Sequence, residues 1–142
     1  YLNSGNVLFI SEEIDKTMIG QRIETLIMQN FGLNIPVLIL NKNELQNICD
    51  NIPRFWNKEN KEYYYNLILY IPLFNKNDFL KSFPTSNKEL ESVYVADICV
   101  YWAFILKKHS KTTLSKIASS PINQNVALRT VNTMTKLFDF FT

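Results

Sequence analysis

Residues 91–106, "ESVYVADICVYWAFIL", decide the fold. The run is too long for one ordinary strand, which averages about 5–6 residues. β-branched and aromatic residues crowd both sides of Ala96-Asp97, so the pattern predicts two antiparallel strands folded at that pair. The pair is an unusual turn, since Asn-Gly or Asp-Gly is the common choice. Upstream, Tyr63–Ile71 ("YYYNLILYI") predicts a further strand, and Asn75 starts a short helix through Asp78, Phe79 and Leu80 that closes before Pro84. Downstream, Thr112 caps a helix carrying Leu114, Ile117 and Ala118, ended by Pro121. Asn125–Leu128 is a short strand, and Thr130 opens a last helix with Val131, Met134, Leu137, Phe138 and Phe141 on one face. The second half therefore reads strand-helix-strand-strand-helix-strand plus a helix.

The first half reads as the back end of the same arrangement. Tyr1-Leu2 and Val7–Ile10 are the arms of a hairpin whose corner is Ser4-Gly5-Asn6, because Gly and Asn tolerate positive φ. Ser11 caps a helix with Glu12 and Glu13 in its first turn, and Ile14, Met18, Ile23, Leu26, Ile27 and Phe31 follow at helical spacing. Gly32 ends that helix, while Gly20 inside it implies close packing. Ile35–Leu40 ("IPVLIL") predicts a buried strand. Asn41 with Glu44 then forms a capping box for a helix striped by Leu45, Ile48, Cys49 and Ile52 and stopped by Pro53. The polar stretch Arg54–Glu62 is a linker in which Trp56 has no predicted place. The fold class is α+β with largely antiparallel sheets, divided as 1–53, linker 54–62 and 63–142. Because the chain starts on a strand pattern without Met, an opening strand and helix are expected upstream of Tyr1.

A 46% hydrophobic, 20% charged composition is that of a globular protein. A net charge of +2 gives no strong nucleic-acid footprint. The longest apolar run, Val93–Leu106, is broken by Asp97 and falls short of the roughly 20 residues of a membrane helix. Cys49 and Cys99 sit in apolar stretches as free thiols, the state kept in the reducing cytosol. Two cysteines and one histidine cannot supply a zinc-finger ligand set, so neither metal nor cofactor is expected. Gly-rich phosphate loops, Gly-x-Ser-x-Gly elbows and His-Glu-x-x-His motifs are absent.

"YLNSGNVLF", then an amphipathic helix, then "FGLNIPVLIL" and a capped helix resembles the bacterial domain of unknown function 1697 family. The positions carrying the resemblance are Ser4, Gly5, Asn6, Val7, Phe9, Phe31, Gly32, Pro36 and Val37. A family segment of the form Thr-x-Arg-Asn-Trp-Asn-Thr-Val-x-Lys-Leu is matched near the end of the chain by Arg129, Asn132, Thr133, Lys136 and Leu137. Thr130 and Val131 replace the Asn-Trp pair, and Ala127 the leading Thr. The resemblance implies two similar ferredoxin-like lobes, the first incomplete here. Its usual opening strand and helix, with an Arg-Gly-Ile-Asn-type stretch, would lie upstream of Tyr1. The family has no assigned activity to transfer, so no catalytic residue is carried over.

Four groups of residues are weighed as sites. Ser4-Gly5-Asn6 could present backbone N–H groups to an anion, although a hairpin corner explains the same residues. Arg129, Asn132 and Thr133 lie at the start of the last helix, where N–H groups and an Arg fork suit an anion; an ordinary Thr130 cap with a paired Arg is the simpler account. Lys108, His109 and Lys111, with Lys107 and Ser110, form a basic loop that could hold phosphate or merely be solvated, and His109 has no acid or nucleophile at triad spacing. The strand aromatics Tyr63, Tyr64, Tyr65, Tyr70, Tyr94, Tyr101 and Trp102 could stack bases if exposed, but are more commonly core. Carboxylate pairs such as Glu12-Glu13 and Glu89/Glu91 read as ordinary exposed acids.

The leading expectation is a cytosolic bacterial protein that binds a small anionic ligand or a protein partner, with the ligand near Arg129 and the Lys108–Lys111 loop. A single-stranded nucleic-acid-binding module using sheet aromatics is the alternative from a second class. An enzyme with part of its site upstream of Tyr1 is the third. No membrane association is expected.

Overall fold

The computed structural model describes residues 5–54, 56 and 59–141. The chain forms two compact units, one ending at Leu40 and the other starting at Asn41.

The first unit is built on one helix, α1 (Lys16–Phe31). It starts later than Ser11 because the cap is Asp15, whose carboxylate accepts from the N–H groups of Thr17 (2.9 Å) and Met18 (3.2 Å). Ser11 instead closes a turn ahead of the helix, its hydroxyl accepting from Glu13 N–H at 3.1 Å. Gly32 ends the helix at φ 66°, a left-handed position that glycine adopts freely. The chain then returns along the helix, and the Glu24 carboxylate accepts from Val37 N–H at 2.8 Å. A Cβ on buried Gly20 would stand 3.8 Å from both Ile39 Cγ1 and the Val37 carbonyl oxygen, so this glycine faces the returning segment.

Two expected strands are not formed here. Val7–Ile10 and Ile35–Leu40 carry no strand assignment, and Val7–Ile10 is exposed rather than buried. A strand needs a hydrogen-bonded neighbour, and the expected opposing arm, Tyr1-Leu2, lies outside the described residues. Unit one therefore shows one helix and no sheet among its described residues, and the two-lobe arrangement is not reproduced in it.

The second unit holds a four-stranded, fully antiparallel sheet: β1 (Tyr63–Tyr70), β2 (Glu91–Val95), β3 (Cys99–Ile105) and β4 (Val126–Thr130), in spatial order β2-β3-β1-β4. The expected hairpin is present as β2 and β3, closed by Ala96 N–H donating to the Cys99 carbonyl at 2.9 Å. A short helix, α3 (Lys76–Ser82), links β1 to β2 across β3. Its capping box pairs Asn75 with Asp78, as α2 (Lys42–Asp50) pairs Asn41 with Glu44. The last helix, α4 (Val131–Asp139), is capped by Thr130.

Strand alternation sends residues to two covered faces. On one face Ile68, Tyr70, Val100, Trp102, Phe104 and Val126 pack with Phe79 of α3 and with Leu114, Ile117 and Ile122. On the other, Leu67, Leu69, Cys99, Tyr101 and Ala103 are buried, as are Leu45 and Ile48 of α2 and Val131, Met134 and Leu137 of α4. The Tyr101 hydroxyl donates to the Ile48 carbonyl at 2.8 Å, fastening α2 to this face.

Between β3 and β4 the expected helix after Thr112 is absent as an α-helix. Residues Leu106–Lys111, Leu114–Ser119 and Pro121–Asn125 form three short 3-10 turns instead. The second of these turns is tied to the sheet by the Glu91 side chain. Glu91 is 4% exposed, not the surface acid its sequence context implies. Its carboxylate accepts from Thr113 N–H (2.7 Å), Asn87 N–H (3.0 Å), Leu114 N–H (3.3 Å) and the Trp102 indole N–H (2.9 Å). These bonds seat the start of the second 3-10 turn against β2 and β3.

Three consequences are measurable. Glu91→Ala strands four donors, one a buried indole, and should lower stability by about 3–4 kcal/mol in urea unfolding, with Glu91→Gln intermediate because its amide faces donors. Tyr101→Phe should lose about 1–2 kcal/mol with unchanged far-UV dichroism, since only the tie to Ile48 goes. Burial pushes the Cys99 thiol from 9.0 up to about 11 and raises the Tyr70 and Tyr101 hydroxyls, also chiefly by burial. For each, the unfolded chain ionises first. Stability is then full below about pH 9 and should fall as pH rises toward about 11, which unfolding curves across that range would show.

Candidate functional site

The sequence-derived site residues fall in a turn of the first unit and, in the second, on β4, at the start of α4 and on the first 3-10 turn. Ser4 lies outside the described residues. Gly5 takes φ 69° in a turn, as a corner requires, and with Asn6 belongs to the first unit. Arg129 shares a sheet face with Leu67, to which it is paired across β1 and β4. Its guanidinium is partly desolvated, which lowers it from its usual value, and donates to the Leu128 carbonyl at 2.8 Å. Thr133 is committed to the helix cap: its N–H donates to Thr130 Oγ1 at 3.1 Å and the two hydroxyls meet at 2.9 Å. Lys108, His109 and Lys111 lie on the first 3-10 turn, where the imidazole packs 4.9 Å from the Phe104 ring and 5.8 Å from Trp102. His109 is thus a lid on the core's edge.

Asn132 is a predicted residue that faces a cavity. It lines a cavity of about 280 Å³ at the end of the sheet where β1 begins and α4 starts. Asn60, Lys61, Tyr63, Tyr65 and Thr130 line it with Asn132. The Asn132 carboxamide and the Lys61 ammonium have no protein partner among the described residues, and no carboxylate is among the described lining residues. Asn60 spends its side-chain oxygen on Glu62 N–H (3.0 Å), leaving its NH2 group for the cavity. Tyr63 and Tyr65, two apart on one strand face, stack 6.5 Å apart at 22°. Burial, with Tyr63 beside it, raises the Tyr65 hydroxyl.

The aromatic row continues across the sheet. Tyr65 lies 5.0 Å from the Trp56 ring, Trp56 stands edge-on 6.3 Å from Tyr101, and Tyr101 lies 5.9 Å from Tyr94. Trp56, placeless in the sequence, is the middle of this row. It is 8% exposed, and its indole N–H is buried without a partner among the described residues. Nothing in the polar stretch around it signals burial. Tyr70, Tyr101 and Trp102 are buried, whereas Tyr63, Tyr64 and Tyr94 keep exposed ring area. The sheet thus offers aromatic surface at its margins and none at its centre.

A second cavity, also about 280 Å³, lies at the opposite end, between α2 and the β2–β3 turn. Among the described residues no three His, Cys, Asp or Glu side chains gather to hold a metal ion, and no helix is long and apolar enough to cross a membrane.

Comparison with known proteins bears on the fold. The structure of conserved bacterial protein SP0830 from Streptococcus pneumoniae matches with a TM-score of 0.75 at 15% identity, covering 93% of this chain and 73% of that one. At that identity the likeness is one of fold. No curated protein matches the sequence. The family model described as "Protein of unknown function (DUF1697)" matches residues 1–101, which takes in the Ser4-Gly5-Asn6 sequence, α1, α2 and the sheet as far as Tyr101 but stops before the Arg129–Leu137 segment. On that match over most of its length, the chain belongs to the DUF1697 family.

Proposed function

We propose that the protein binds a small anionic ligand bearing a flat ring, in the cavity between the start of β1 and the start of α4. The observation that carries this reading is the cavity's chemistry: a Lys61 ammonium and an Asn132 carboxamide with no partner among the described residues, a tyrosine stack and no acidic described lining residue. A cation and unspent amide donors favour phosphate or carboxylate oxygens. Stacked tyrosines favour a planar group alongside. The size, at the lower end of the usual range for ligand pockets, suits a metabolite. Relative to the sequence-based site, the centre moves from Arg129 and the Lys108–Lys111 turn to Asn132 and Lys61, with Leu106 joining the basic turn to the cavity wall.

The ferredoxin-like reading of the second unit is supported by its β1-α3-β2-β3-β4 path and β2-β3-β1-β4 order, in which both crossovers pass over one strand. A bacterial source is supported by the kind of protein that shares the fold, and a reducing compartment by Cys49 and Cys99 standing outside any disulfide. Base stacking on the sheet face is disfavoured by the burial of Tyr70, Tyr101 and Trp102.

Thermal shift of the whole protein against nucleoside monophosphates, sugar phosphates and metabolite carboxylates tests the proposal. A true ligand at a hundred times its Kd adds about 2.7 kcal/mol, a shift of several degrees. Lys61→Ala and Asn132→Ala should each abolish that shift while leaving the unliganded melting point within about a degree. A silent panel, or a shift produced only by single-stranded RNA at low salt, would overturn the reading in favour of a protein or nucleic-acid partner.

A further inference from the structure

The cavity at the far end of the sheet carries its own chemistry, independent of the proposal above. Asn47 in the last turn of α2 and Asn51 at its C-terminal cap, Lys76 at the start of α3, Asp97 at the β2–β3 turn, and the tyrosines Tyr94 and Tyr101 line it. Three features decide what would fit.

The first is a pair of opposite charges held at short range on the wall. Lys76 Nζ lies 3.3 Å from Asp97 Oδ1, with the side chains 43% and 91% exposed. An ion pair this open to water is weak, so opening it to other partners costs little. The second is a complementary amide edge. Asn51 Nδ2 donates to Asn47 Oδ1 (2.6 Å) and to the Asn47 carbonyl (2.8 Å), which orients both carboxamides. That leaves Asn51 Oδ1 as an acceptor and Asn47 Nδ2 as a donor, neither bonded to a described residue. One donor beside one acceptor matches an amide group, which offers the reverse pair. The third is an apolar floor. The Tyr94 ring is 58% exposed and rests on Tyr101, whose hydroxyl is already spent on Ile48.

We propose that this cavity binds a zwitterion of dipeptide size, with its carboxylate at Lys76, its ammonium at Asp97 and its amide against the Asn47–Asn51 edge. Both ends of such a ligand are charged and its centre is an amide, and each finds an opposite number among these side chains. A simple anion would meet Asp97, and a simple cation would meet Lys76; only a molecule carrying both signs gains from both. The Tyr94 face accommodates an uncharged side chain.

The test is a titration of the whole 15N-labelled protein with glycylglutamine, followed by amide shifts. Saturable shifts should concentrate at residues 47–51, 76 and 94–98. N-acetyl-glycylglutamine and glycylglutamine amide, each lacking one charge, should bind about threefold to fivefold more weakly, the scale of one solvent-exposed ion pair. Asp97→Ala removes a side chain that is almost fully exposed, so its fold should persist, visible as an unchanged spectrum elsewhere; it should lose binding by a similar factor, as should Asn51→Ala. Equal binding of the blocked dipeptides, unchanged affinity in Asp97→Ala, or no saturable shift up to about 10 mM would overturn the proposal. Ligands of the Asn132 cavity should still bind the Asp97→Ala protein, so failure here is distinguishable from failure there.

Discussion

The second unit depends on a single buried carboxylate. Glu91 accepts four hydrogen bonds from two backbone stretches and an indole, joining the start of β2, the centre of β3, the turn at Asn87 and the 3-10 segment after Thr113. A buried carboxylate is costly unless its lone pairs are occupied, and here they are. The arrangement seats the long β3–β4 connection against the sheet, so that Leu114 and Ile117 enter the core beside Trp102 and Phe104. Without it, a connection of short 3-10 turns would have few regular hydrogen bonds to hold its place.

The sheet that results is covered on both faces at its centre and open at its two ends. β3 is buried from Cys99 through Phe104, which accounts for the unbroken apolar run in its sequence. Cavities form where the covering helices stop: one beside the start of α4, one beside the end of α2. The row Tyr63, Tyr65, Trp56, Tyr101 and Tyr94 runs between them, so its inner rings serve packing and its outer rings serve the cavities. One set of aromatic residues has two uses according to where each falls relative to the helices.

The first unit shows how far local signals reach. Its helix and the Gly32 end were legible because caps and apolar spacing act within a few residues. Its start lies at Asp15 rather than at the expected Ser11, because both are good caps and the choice rests on which carboxylate or hydroxyl reaches the free N–H groups. Its two expected strands could not be settled from pattern alone, since a strand exists only in a ladder and the partner is remote in sequence.

In the second unit, sequence by itself determined the capping box of α2, the Asn75 start of α3, the Thr130 cap of α4 and the β2–β3 hairpin, all set by contacts between near neighbours, and it marked β1 and β4 by their apolar and β-branched runs, although their ladders join residues far apart in the chain. It also marked Asn132, through its position at a helix start. Only the tertiary structure decided that Glu91 is buried, that Trp56 sits in an aromatic row, that Thr133 and His109 are spent on packing and capping, and that Lys61 joins Asn132 at one cavity. Each of those depends on groups brought together from distant parts of the chain. A side chain's environment there is set by neighbours that no local pattern names.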